Sequence, residues 1–124
     1  MVLELFENEY SIYKFTPDFI ITENIFSSDF ISITKTKDEI SIVAPINKLK
    51  NFIEAEIGWK IIKINEILDF SLIGIISKIS TLLANENISI FVISTYNTDY
   101  ILVKKENLKK TIEVLIKNQY EVKY

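Results

Sequence analysis

The residues best placed to do chemistry in this sequence are few. Ser94, Thr95, Thr98 and Asp99 crowd the middle of "FVISTYNTDYILV", Phe91 to Val103. Hydroxyls beside a carboxylate can form half of a ligand site. They can equally be turn chemistry, since Thr and Asp side chains bond their own backbone in tight turns. A second candidate is Gly74, in "LDFSLIG" at the head of a helical pattern. Glycine there costs about 1 kcal/mol relative to alanine. Either a close strand crossing or a ligand lying on the backbone would account for it. The N–H groups of Leu72, Ile73, Gly74 and Ile75 would be free at that helix end and suit an anion. The dipole contributes only about 0.3–1 kcal/mol, so affinity needs several partners. Asp69 is either a helix cap or the partner of an ammonium group. Asp99 is either a turn residue or a second such partner.

What is missing sharpens the choice. The 124 residues contain no His and no Cys, and all 14 basic residues are Lys. General-base, thiol and zinc chemistry lose their usual residues. Without Arg, no guanidinium fork can grip a carboxylate or phosphate, so an anion would rest on backbone N–H groups or Lys. Neither a metal site nor a cofactor is expected. A net charge of −3 argues against nucleic acid, which needs a basic face. The absence of Cys points to a reducing, cytoplasmic setting. "MVLELFENEY" does not read as a signal peptide. No apolar run is long enough to span a membrane.

The elements that must hold these residues are clearer. "WKIIKINEI", Trp59 to Ile67, reads as a strand. Leu72, Ile75, Ile76, Ile79, Leu82 and Leu83 recur at helical spacing, with Asp69 or Ser71 as cap and "NEN" as stop. "ISIFVIST" and "YILVKK" are strands joined at "YNTD". A second helix begins near Glu106 and buries Leu108, Ile112, Leu115 and Ile116. "YEVKY" is a closing strand. Strand, helix, strand, strand, helix, strand is the ferredoxin-like order.

The first half reads as a worn copy. "VLELF" and "YSIYKF" are strands, and "FISITKTKDEISIVAP" is a hairpin turning near Thr36 to Glu39. At a separation of about 60 residues, Asp38 falls opposite Asp99 and Thr34 opposite Thr95. "NKLKNFIEAEI" is expected to be a helix, like "ENLKKTIEVLIKN". "TPDFIITENIFSSD" is too short and irregular to match the other first helix. The expected class is α+β: tandem ferredoxin-like modules, residues 1–57 and 58–124, with antiparallel sheets and helices on one face. Gly58 would mark the junction. In "ISIFVIST" both strand faces are apolar, so the second face needs a sheet, the other module or another chain.

"GWKIIKINEILDFSLIGIISKISTLLANENISIFVISTYNTDYILVKKENL" resembles the ACT-domain family, in particular small proteins with two ACT modules. It is similar to the ACT modules of CASTOR-type arginine sensors and of aspartokinases. The resemblance implies regulatory binding of a small molecule, most often an amino acid, at an interface between modules. The loop from first strand to first helix would contribute Asp69, Leu72, Ile73, Gly74 and Ile75, and the hairpin Ser94, Thr95 and Asp99. A homo-oligomer, a dimer, is expected, with no catalysis. The competing reading is an assembly subunit without a ligand. Acyl-phosphate hydrolysis would want an Arg clamp, and RNA binding a basic flank; neither is present.

Overall fold

The computed structural model describes residues 1–65 and 74–124. They form β1 (Val2–Leu5), β2 (Tyr10–Phe15), β3 (Ser32–Lys35), β4 (Ile40–Pro45), β5 (Glu54–Ile64), α1 (Ile75–Ala84), β6 (Ile90–Ser94), β7 (Asp99–Lys104), α2 (Leu108–Lys117) and β8 (Glu121–Lys123). Short 3-10 segments occupy Glu23–Ser27 and Lys105–Asn107. No helix among the described residues is long and apolar enough to cross a membrane. The chain folds as two compact units, Asn8–Trp59 and Met1–Glu7 with Lys60–Tyr124. The first strand therefore joins the later unit, whereas division at 1–57 and 58–124 would put it in the earlier one.

The discontinuous unit carries both helices. Its strands run β6-β7-β5-β1-β8, with the later part of β5 taking part. Without β1 this would be the ferredoxin order. β1 lies antiparallel to β5, Leu3 opposite Ile64, and parallel to β8, Leu3 opposite Val122. Leu3, Ile64, Ile79, Leu83, Ile101 and Leu115 form the centre of its core. Each such side chain contributes about 1.5–3 kcal/mol by leaving water.

Both helices stop for a reason visible in the sequence. Asn87 takes a left-handed φ of 58°, and Ile88 N–H reaches back to the Leu83 carbonyl at 3.0 Å. Asn87 N–H meets the Ala84 carbonyl at 3.0 Å. This pair of bonds satisfies carbonyls the helix would leave open, and Ile88 is buried beyond it. Gln119, at φ 69°, ends α2 the same way, with Tyr120 N–H on the Leu115 carbonyl at 3.0 Å. In α2, Leu115 is buried as expected, but Ile116 is 55% exposed and Thr111 takes a buried position instead.

The unit of residues 8–59 has the order β3-β4-β2-β5, the ferredoxin order with its helices worn away. The first helix survives as the 3-10 segment Glu23–Ser27. The expected helix in "NKLKNFIEAEI" is not formed. Asn47 and Asn51 hold φ of 61° and 65°, which a helix cannot accept. From Glu54 the chain pairs with β2 instead, and Ile53 N–H already bonds the Lys14 carbonyl at 2.7 Å. Tyr13, Phe15, Ile25, Ile40, Ile42 and Ala44 make this unit's core.

β5 is longer than "WKIIKINEI" suggested and starts earlier. Opposite β2 its register slips between Tyr10, paired with Trp59, and Ile12, paired with Glu56. Ile57 and Gly58 together face Ser11, which is a β-bulge. Gly58 is buried there with φ 85°.

Candidate functional site

The hairpin tip is built by two threonines. Thr95 N–H donates to the Thr98 carbonyl at 2.9 Å, and Thr95 Oγ1 accepts the Thr98 N–H at 3.3 Å. The tip thereby uses Thr95 as turn chemistry. The β3–β4 tip repeats the pattern, with Thr36 N–H on the Glu39 carbonyl at 2.9 Å and Thr36 Oγ1 accepting from Asp38 and Glu39. The matching pair of residues is thus Thr36 and Thr95. Setting Thr34 opposite Thr95 and Asp38 opposite Asp99 is out of step with the turns.

Ser94 and Asp99 face each other as a cross-strand pair directly below the tip. Ser94, Thr95 and Asp99 are therefore brought together. Thr98 is the member of the cluster left out of the expected site, and it is the most constrained. It is 3% exposed, and its Oγ1 donates to the Ile64 carbonyl at 2.7 Å. That bond ties the tip to the end of β5. A polar residue between Asn97 and Asp99 reads as turn, which hid this role. Thr98→Val should cost about 0.5–1.5 kcal/mol, the net worth of the buried hydrogen bond it removes. Thermal unfolding followed by circular dichroism should show a drop of several degrees, with Thr98→Ser close to the parent.

Gly74 and Ile75 stand at the start of α1. Gly74 is the residue before the helix, at φ 86°, and Lys78 N–H makes the first helical bond to its carbonyl at 2.9 Å. Among the described residues, and apart from its own chain neighbours and helix backbone, no heavy atom lies within 4 Å of where a Cβ would sit. The left-handed backbone accounts for glycine here. The helix starts later than its apolar pattern suggested, so the first-turn N–H groups without an intrahelical acceptor belong to Ile75, Ile76 and Ser77. The Ile75 side chain is buried in the core. Asp69, Leu72 and Ile73, and the cap Ser71, lie outside the described residues.

β6 carries partly exposed apolar residues on both faces, with Val92 at 37%. It is not the fully buried strand that its composition allowed. Among the described residues, no three carboxylates gather as a metal site would require.

Strand order, two capped amphipathic helices and a worn second unit define a tandem ferredoxin-like α+β domain. The chain belongs to the ACT domain family, whose sequence profile matches residues 54–117. A separate profile, described as an N-terminal domain, matches residues 8–51. No curated protein matches the chain. Among solved structures, protein Atu0741 from Agrobacterium tumefaciens is similar at 29% identity and TM-score 0.89, covering 98% of this chain and 90% of that one. A chain of the structure of aspartokinase alpha and beta subunits is similar at 16% identity and TM-score 0.65, covering 94% and 96%. Aspartokinase III of Escherichia coli, in complex with aspartate and ADP, shows 15% identity and TM-score 0.64; the match covers 94% of this chain and 33% of the enzyme. The family assignment carries a regulatory, small-molecule-binding role in general terms.

Proposed function

We propose that this protein is a non-catalytic regulatory module that binds an amino acid, works as a homodimer and acts in the cytoplasm. The ligand would sit at an ACT-module interface. Its carboxylate would meet backbone N–H groups at the start of α1, and its ammonium would meet Asp69 or Asp99, with Ser94 and Thr95 beside it.

One observation carries this reading. Gly74 heads α1, and no described residue fills the space where a side chain would project, beside amides that no helical bond uses. In a family of regulatory ligand-binding domains, that is the place most ready to receive a carboxylate. The sequence contains no Arg, so amides and Lys must supply the positive side of the site.

The test is a thermal-shift screen against the common amino acids at millimolar concentration. A ligand at about 100 times its Kd stabilises by about 2.7 kcal/mol, several degrees in a chain of this size. The decisive variant is Gly74→Asn. Asn tolerates the left-handed backbone, so the fold should keep its melting point to within about two degrees. Its side chain fills that space, so the shift caused by the ligand should vanish. A ligand shift that survives in Gly74→Asn, or a flat screen, sinks the placement.

The assembly-subunit reading draws on the incompletely covered β6, where Val92 is 37% exposed. Sedimentation equilibrium decides its weight: a chain monomeric at micromolar concentration has no such role with itself.

A further inference from the structure

A cavity of about 300 Å³ opens in the unit of residues 8–59, away from every residue discussed as a site. It lies between the 3-10 segment with its approach and the loop that stands where a second helix was expected. Phe19, Ile20, Ile25 and Leu49 supply apolar wall, and Lys48 and Lys50 supply the charge. Its volume sits at the lower end of small-molecule sites, and its mixture of apolar wall and few polar groups is typical of them.

The loop is shaped to present those lysines. Asn47 and Asn51, both left-handed, bracket Lys48–Lys50, and Lys48 N–H bonds the Pro45 carbonyl at 3.2 Å. Lys48 is half-buried, and its ammonium donates to Ser27 Oγ, a neutral partner. Among the described residues no carboxylate meets it. That ammonium lies at the surface and borders the apolar wall, with donors beyond the one given to Ser27. Ile20, on the cavity wall, is 80% exposed, which is apolar surface still in water.

We propose that this cavity binds a small monocarboxylic acid with a compact branched or aromatic body, Lys48 being its counter-ion. The body would cover Phe19, Ile20, Ile25 and Leu49, and the carboxylate would take the free donors of Lys48. A single ammonium with no guanidinium suits one carboxylate better than a polyphosphate. Thr22, Asn24 and Asn51 add neutral hydrogen-bonding groups at the rim.

The probes are 4-methylpentanoate and phenylacetate, titrated into the full chain and followed by amide and methyl NMR. The neutral control is 4-methylpentanol. The acids should shift resonances of Ile25, Leu49 and Lys50, and should bind about tenfold more tightly than the alcohol, the worth of one charge-assisted hydrogen bond. Lys48→Gln should erase that preference, and Lys48→Arg should keep it. No shifts at millimolar acid, shifts that map to other residues, or an acid preference that survives Lys48→Gln would each overturn the proposal. So would shifts at Ile20 that follow protein concentration instead of added acid, which would assign the patch to self-association. Gly74→Asn should leave this binding intact, so the amino-acid reading and this one can fail separately.

Discussion

Leu3→Ala should destabilise the protein by about 2–5 kcal/mol, as deletion of a fully buried leucine does when its surroundings cannot close up. Leu3 is 0% exposed and stands between Ile64 on β5 and Val122 on β8. Both neighbours are rigid strands, so little relaxation can fill the gap. Total stability of a domain this size is only about 5–15 kcal/mol, so the urea midpoint should fall by a large fraction. A stronger form of the same prediction uses fragments. Residues 58–124 alone lack the strand that joins β5 to β8 and should show no cooperative unfolding. Replacing residues 7–60 by Asn-Gly should restore folding. Phe6 N–H bonds the Ile61 carbonyl at 2.9 Å, so β1 and β5 are already arranged as a hairpin that a two-residue turn can close. Cooperative unfolding of residues 58–124 by themselves would refute the account.

Gly58→Val should be the next most damaging single change. The residue is buried in a bulge at φ 85°, a conformation costing an L-residue about 1–2 kcal/mol and a β-branched one more. Adding a side chain in a buried position brings the expected loss to about 2–3 kcal/mol. Gly58→Asn should lose much less, since Asn tolerates that region. Trp59, the single tryptophan, is next in sequence and 5% exposed, so its fluorescence reports the local change. Urea titrations read by that fluorescence and by circular dichroism should move together for Gly58→Val. Equal midpoints for the Val and Asn variants would show that the backbone conformation is not what glycine supplies.

Much of the architecture could be read from residue order. Strands and helices after Trp59 announced themselves by period, and the stops at Asn87 and Gln119 follow from residues that accept a positive φ. The failure in "NKLKNFIEAEI" is informative. Leu49, Phe52, Ile53 and Ile57 have helical spacing, yet Phe52, Ile53 and Ile57 are 42%, 53% and 67% exposed. Pairing with β2 satisfies the backbone from Glu54 onward, and that long-range gain outweighs local period. Gly74 looked like a packing or ligand glycine because sequence does not display φ. The tip at Thr95 was legible as a turn, but Thr98 was not, since its partner Ile64 lies 34 residues away. Asp99 and Ser94 were expected together and are paired across the hairpin.

The insertion of residues 8–59 after β1 has a consequence for how the chain is made. Val2 pairs with Glu121, so β1 finds this partner only after more than a hundred further residues have been made. The inserted unit is contiguous in sequence and can close its sheet as soon as β5 emerges. β1 must meanwhile remain unpaired on its β8 side while the intervening residues are made, about 6–24 s at ordinary elongation rates. Contacts of such long sequence separation slow the folding search and prolong exposure of strand edges. The nested order thus sets a fast-folding unit inside a slow one, and the slow one, which holds Gly74 and the Thr98 tip, is finished only when β8 has been made.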